Sequence, residues 1–207
     1  IAHLDCEGYA KAIMDHYEID YDIPEEDFKR LPKEGSYITI SNHPLGGIDG
    51  ILLMRLLLPL RQDYKIMANF LLERMAPLAP YVLPVNPFEE HKGARSSIAG
   101  FKMAFQHLRD GHPLGIFPAG EVSTHKDGKL IVDKPWEEAA LKLIRKAQVP
   151  AVPIYFHGKN SKLFSRLAKW RPIFRTAMIP SQVLSQRNRP LKVRICQPIS
   201  LQTHTDQ

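Results

Sequence analysis

Short apolar runs rich in β-branched residues alternate along this chain with segments of helical periodicity, and that alternation constrains the fold more than any other feature. "SYITIS" (36–41) reads as a buried strand and "IDGILLMRLLL" (48–58) as the helix that follows it. "YKIMAN" (64–69) and "YVLPV" (81–85) read as further short strands around an apolar helix, and "GARSSIAGFKMAFQHLRDG" (93–111) as a helix closed by Gly111. A strand at 114–117 runs straight into a Pro-Ala-Gly turn. "PWEEAALKLIRKAQ" (135–148) places Pro in a first helical turn with acids beside it, and "VPAVPIYF" (149–156) and "LKVRIC" (191–196) supply the last strands. Strands alternating with helices predict an α/β fold: a single domain with a mixed, largely parallel sheet flanked by helices. At 207 residues the chain suits one sizeable core better than two, so residues 1–207 are taken as one domain.

Charge narrows the partners. Lys and Arg outnumber Asp and Glu by 28 to 22, a net charge of +6, and the excess is not spread evenly. Between Glu138 and Asp206 there are thirteen Lys and Arg residues and no carboxylate, whereas "DHYEIDYDIPEEDF" near the start is acidic. An anionic partner therefore belongs to the C-terminal third. Cys6 and Cys196, one near each end, make no disulfide framework, suit a reducing compartment, and exclude a cysteine zinc site. The longest apolar run, "ILLMRLLLPL" (51–60), contains Arg55 and Pro59 and is far shorter than the ~20 residues that span a bilayer. Ile1 in place of Met, with no signal pattern after it, suggests a piece of a longer chain.

The chemistry gathers in "SNHPLGGIDG" (41–50), at the end of the first strand read above. In open α/β sheets the loops leaving the carboxyl ends of strands line the ligand crevice, so this loop and the one after "LGIF" are expected to share a site. Histidine is suited to general base work once its tautomer is set, and Asp49 can accept a bond from one ring nitrogen of His43 and leave the other as the base. Gly46 and Gly47 allow a tight return of the chain and let backbone amides approach a substrate oxygen. An ordinary turn that happens to contain a histidine fits the same residues, since "PLGG" is good turn chemistry.

Taken in order, "NHPLGGID", "FPAGEVS" and "VPAVPIYF" resemble the three recognisable blocks of the glycerolipid acyltransferase family, that of the 1-acylglycerol-3-phosphate acyltransferases, over roughly residues 36–160. Asn42, His43 and Asp49 stand in the first block, with five residues between His and Asp where the family has four; the extra residue is expected to bulge within Leu45 to Gly47. Phe117, Pro118, Gly120 and Ser123 match the third block, while Ala119, Glu121 and Val122 replace its Glu, Thr and Arg. Val149, Pro150, Val152, Pro153 and Ile154 match the fourth. No Arg stands clearly in the second-block position, and Arg95 is the nearest substitute.

The resemblance implies an O-acyltransferase moving a fatty acyl group from an acyl thioester, on acyl carrier protein or coenzyme A, to the hydroxyl of a lyso-lipid. His43 would be the base, Asp49 its orienter, and amides near Gly46, Gly47 or Gly120 the oxyanion donors; Asn42, Arg95, Phe117, Pro118, Glu121 and Ser123 would complete the substrate site. No cofactor beyond the thioester co-substrate is implied, and no nucleic acid. In the family the block-two and block-three arginines are thought to hold the acceptor's phosphate; with Val122 and Glu121 in place here, the headgroup is expected to be other than a bare phosphate monoester, as in ornithine- and glycine-lipid synthesis. Glu121 read as a structural cap of its loop is the alternative.

The basic portion 158–207 opens with "GKNSKLFSRLAKWRPIFR", where Phe164, Leu167 and Trp170 recur at helical spacing among Lys162, Arg166 and Lys169. Such a helix suits an anionic membrane interface, which places the protein in the cytoplasm, peripheral to the inner face of the membrane. The same face packing on the core, or docking acyl carrier protein, are its other uses. Two rival functions remain: a metal-dependent hydrolase with His43 and Asp49 as ligands, which lacks a convincing third ligand, and a non-catalytic module for anionic membranes, which leaves the motifs without a purpose.

Overall fold

The computed structural model describes residues 4–85, 95–126, 130–158 and 190–201. Along them run α1 (Cys6–His16), β1 (Tyr21–Asp22), α2 (Glu25–Phe28), β2 (Ile38–Ser41), α3 (Gly47–Leu57), β3 (Lys65–Asn69), β4 (Val82–Val85), α4 (Arg95–Arg109), β5 (Leu114–Ile116), β6 (Thr124–Lys126), β7 (Leu130–Val132), α5 (Glu138–Ala147), β8 (Ala151–Phe156) and β9 (Leu191–Ile195). Seven strands make one sheet in the order β1-β9-β8-β2-β5-β3-β4, and β6 and β7 form a separate antiparallel ladder. Every neighbouring pair in the large sheet is parallel except β8 with β9. This is the α/β fold with a mixed, largely parallel sheet that the alternation of elements predicts.

Burial explains which strands alternate. The central strand β2 is covered on both faces, so "ITIS" is buried almost throughout, as parallel strands under helices are. In β9, Leu191, Val193 and Ile195 are buried while Lys192 and Arg194 are exposed, the period of two expected of a strand with one solvated face. One face of the sheet packs on α3 and α1, through Leu52, Leu53, Leu57, Ile154, Phe156 and Val193. On the other, Ala104 and Leu108 of α4 and Leu143 and Ile144 of α5 cover Ile38, Leu114 and Ile116. Helix α3 is apolar nearly all round because it lies between sheet and α1, where Cys6 Sγ meets Met54 Sδ at 3.4 Å. The apolar run at 51–60 is thus a core helix, and among the described residues no helix is long and apolar enough to cross a membrane. Burial beside Asp5 pushes the Cys6 thiol up to about 12, out of reach of ordinary thiolate chemistry.

Two sequence expectations change. The helix foreseen between β3 and β4 is instead a pair of short 3₁₀ segments, Phe70–Arg74 and Ala79–Tyr81, because Pro77 and Pro80 break an α-helical ladder there. Helix α5 begins at Glu138, three residues after Pro135, with Glu137 extended and its amide donating to the Pro118 carbonyl at 2.8 Å. The backbone before α5 is therefore held against the turn that follows β5.

Strand β9, which lies between β8 and the two-residue edge strand β1, is fastened by a buried carboxylate. Asp27 of α2, fully buried, accepts from Arg194 Nε at 2.8 Å and from the Ile195 amide at 3.0 Å, and pairs with Arg30 at 2.7 Å. The Arg194 hydrogen bond leads the causes that lower its pKa, so it stays ionised as a buried carboxylate must when fully partnered.

Candidate active site

Strands β2 and β5 are parallel neighbours in register, Ile38 opposite Leu114 and Ile40 opposite Ile116, so the loops after them leave the same edge of the sheet side by side. The first loop reaches α3 through Gly46, whose φ of 70° and ψ of −130° suit glycine alone. That turn falls within Leu45 to Gly47, the span where a bulge is expected. It puts Asp49 at the third position of α3, facing back along the loop.

Asp49 is fully buried. Its Oδ2 accepts from the Leu45 amide at 2.8 Å and lies 3.1 Å from His43 Nδ1, while the Gly46 amide faces the same carboxylate. This is the reach of an N3 acid back to the cap of its own helix, with a histidine added as a further donor. Burial is the largest influence on Asp49 and pushes its carboxyl up; the bonds from His43 and the two amides oppose that push. With Nδ1 donating to Asp49, the unshared pair of His43 is on Nε2. The imidazole is 18% exposed and stacks on Phe117, ring centroids 4.1 Å apart at 29°.

The second loop closes over the first. Besides the Phe117 stack, the Ser123 amide donates to the His43 carbonyl at 2.9 Å, and Val122 Cγ2 lies where a side chain on Gly46 would come within 3.3 Å. Pro118 and Gly120 form the turn between, Gly120 having φ of 66° and giving its amide to the Phe117 carbonyl at 2.9 Å. The buried Ser123 donates its hydroxyl to Asp133, joining the two ends of the segment that carries β6 and β7. Glu121 accepts from Lys134 Nζ at 2.6 Å, both side chains substantially exposed.

Several expected roles shift with this geometry. The Asn42 side chain is engaged by backbone: its Nδ2 donates to the Phe156 carbonyl at 2.9 Å and its Oδ1 accepts from the Phe156 amide at 2.8 Å, tying the first loop to the end of β8. The amides of Gly46 and Gly120 face Asp49 and Phe117, while Gly47 lies in the first turn of α3, where amides lack an intrahelical acceptor. Arg95 is the first residue of α4, and Gly100 of this helix packs against the Pro84 carbonyl of β4. Lys162, Phe164, Arg166, Leu167, Lys169 and Trp170 lie outside the described residues. Among the described residues no three His, Cys, Asp or Glu side chains gather as a metal site.

Sequence reasoning did not find Asp133, Lys134, Phe156 or Gly158 near this site. Only the Asp-Lys-Pro opening of the α5 segment hinted at a turn there, and nothing local tied it to Glu121.

A profile of the acyltransferase family matches residues 3–205 of this chain. The lyso-glycine lipid O-acyltransferase of Bacteroides thetaiotaomicron is 31% identical over 193 residues, covering 89% of this chain and 68% of that protein. The protein of the same name from Phocaeicola vulgatus is 29% identical over 192 residues, covering 89% and 67%. The crystal structure of the 1-acyl-sn-glycerophosphate acyltransferase PlsC from Thermotoga maritima has the same fold, with a TM-score of 0.59 at 15% identity, over 98% of this chain and 70% of that one.

Proposed function

Because this chain belongs to the acyltransferase family, we propose that it moves a fatty acyl group from an acyl thioester to the hydroxyl of a lyso-lipid, with His43 as general base and Asp49 as its orienter. The observation that carries this reading is the 3.1 Å contact of His43 Nδ1 with a fully buried Asp49, which leaves Nε2 as the free base at the sheet edge. In the step, His43 Nε2 takes the proton of the acceptor hydroxyl as its oxygen bonds the thioester carbonyl carbon. The C–S bond then breaks, and the imidazolium returns the proton to the leaving thiolate. Negative charge on the carbonyl oxygen meets the first-turn amide of α3 at Gly47, where the helix dipole also favours it. No enzyme nucleophile is needed, and Cys6 is buried and far from ionised.

The relatives named for a lyso-glycine lipid support an amino-acid headgroup on the acceptor. So do Glu121 and Lys134, paired at 2.6 Å in and beside the loop that covers His43. A glycine group presents either its amine or its carboxylate, whichever its linkage leaves free; Glu121 suits the first and Lys134 the second. A lyso-lipid with an amino-acid headgroup should be acylated at least roughly tenfold better, by kcat/KM, than lysophosphatidic acid. Incubating both acceptors with acyl-ACP and with acyl-CoA and reading the products by mass spectrometry tests donor and acceptor together. A wide preference for lysophosphatidic acid would sink the headgroup reading, and Glu121→Gln, which releases Lys134, should narrow the margin.

The positive charge of residues 139–205 supports work at an anionic membrane surface. Binding to anionic vesicles should exceed binding to neutral ones and weaken with salt, since exposed charges act over a Debye length of roughly 8 Å at physiological ionic strength. Trp170→Ala should weaken binding even at low salt. Co-sedimentation that is equal for neutral and anionic vesicles contradicts the electrostatic part.

A further inference from the structure

Gly158, two residues past the end of β8, packs against the loop that carries His43. A Cβ at that position would stand 2.9 Å from Leu45 Cγ, 2.9 Å from Pro44 Cγ and 3.0 Å from Pro44 Cβ, closer than real Cβ atoms come. Both neighbours are buried, so neither has room to retreat. Gly158 is equally restrained: the Phe156 amide is bound by Asn42 Oδ1 at 2.8 Å, and the His157 amide donates to the Lys192 carbonyl of β9 at 2.9 Å. The ring of His157 is further packed edge-on against Tyr155, centroids 4.6 Å apart.

What rests on Gly158 is not ordinary core. Leu45 supplies the amide that holds Asp49 Oδ2 at 2.8 Å, and that same oxygen faces His43 Nδ1 at 3.1 Å. A displacement of Leu45 by a few tenths of an ångström therefore passes through one hydrogen bond to the carboxylate and through a second to the imidazole. Asn42 holds the loop at one end through the Phe156 backbone, and Gly158 sets its height from below two residues on.

We propose that Gly158 is a positioning residue for acyl transfer: the absence of its side chain lets the end of β8 seat Pro44 and Leu45 so that the Leu45 amide and His43 meet on one oxygen of Asp49. It rests on the reading of His43 as the base. It is not a catalytic residue, since it reaches the reacting atoms only through Leu45 and Asp49.

The test is Gly158→Ala, alone and with Pro44→Ala, beside His43→Ala as a reference. Gly158→Ala should lower kcat by roughly 10- to 100-fold, the scale of loss expected from a misplaced catalytic group, while KM for acceptor and donor stays within about twofold because the binding surfaces are untouched. The low-field Nδ1 proton of His43, seen by NMR, should shift or broaden in the same variant, a change that simple loss of stability would not bring to folded protein. Removing Pro44 Cγ relieves part of the clash, so Gly158→Ala should cost less kcat in the Pro44→Ala background than in the wild type. Equal losses in both backgrounds, or a wild-type kcat with an unmoved His43 proton, overturn the proposal while His43→Ala remains inactive. If Gly158→Ala alone fails to fold, the double variant is compared with Pro44→Ala: a lower kcat in the double variant supports the positioning role and equality overturns it. Activity surviving in His43→Ala would mark the failure of the base reading instead.

Discussion

His43→Ala should lower kcat by on the order of 10²–10⁴-fold, the range that a positioned general base supplies, with the circular dichroism spectrum and the binding of both substrates retained. The residue sits at the rim of the sheet, not in its core, so the fold should not depend on it; its ring stacks on Phe117 and meets Asp49 through Nδ1. Asp49→Asn should cost nearly as much, because an amide at this position can donate to Nδ1 and so favour the tautomer whose Nε2 carries the proton. Stability should move the other way. Burial raises the Asp49 carboxyl above its unfolded value, so the stability this group contributes is present at low pH and is lost as pH rises through the carboxylate range. An uncharged Asn avoids that loss, and the melting temperature of Asp49→Asn near neutral pH should equal or exceed that of the wild type. Unchanged turnover in folded His43→Ala protein sinks the mechanism; a sharp fall in Tm for Asp49→Asn contradicts the account of the buried carboxylate.

The second large effect is on stability, at Gly115. This residue sits in β5 between Thr39 of β2 and Ile66 of β3, at the centre of the sheet. A Cβ there would lie 2.0 Å from the Tyr64 hydroxyl and 2.9 Å from Tyr64 Cζ. Tyr64 and Thr39 are both fully buried and share a hydrogen bond of 2.7 Å, so the ring cannot yield without leaving two buried polar groups unpaired. Gly115→Ala should cost about 3–5 kcal/mol, combining overpacking with loss of that bond. At this chain length that corresponds to a fall in Tm of roughly 6–20 °C. Adding Tyr64→Phe removes the closest atom and should recover part of the loss, though Thr39 then lacks its partner. A Tm within about 2 °C of wild type for Gly115→Ala would show that the sheet centre is looser than its packing implies.

Much of the scaffold was legible because its signals are local. β2, α3, α4, β8 and β9 fall where apolar runs, caps and Gly111 place them, since a strand buried on both faces or a helix with an apolar stripe writes its environment into neighbouring residues. Helix α1 was harder to see: its buried stripe of Cys6, Tyr9, Ala10 and Met14 is set among acids, and its cap, Asp5 accepting from the Gly8 amide at 2.7 Å, is one bond. The strands β1, β6 and β7 are two or three residues long, too short for any periodicity to register. The start of α5 was misplaced because the Pro118 carbonyl, nearly twenty residues upstream, draws the Glu137 amide out of the helix.

The site divides along the same line. "NHPLGGID" by itself determined that a histidine and an acid would meet at a strand end, because six residues with two glycines can bring them together in few other ways, and His43 and Asp49 do meet at 3.1 Å. It also determined that the loop after β5 would be its neighbour, through the parallel topology that alternating strands and helices favour. Which atoms remain free for substrate was decided only in three dimensions. Asn42 is engaged by Phe156, 114 residues away; Gly46 and Gly120 have amides turned to Asp49 and Phe117; Glu121 has found Lys134; and Gly158 lies under Pro44 and Leu45. The contacts of Asn42, Glu121 and Gly158 join residues distant in the chain, and those of Gly46 and Gly120, though local, depend on backbone angles that the whole loop sets. Local periodicity carries a residue's environment to its near neighbours, but it holds no information about which distant backbone group will stand at hydrogen-bond distance once the sheet has closed.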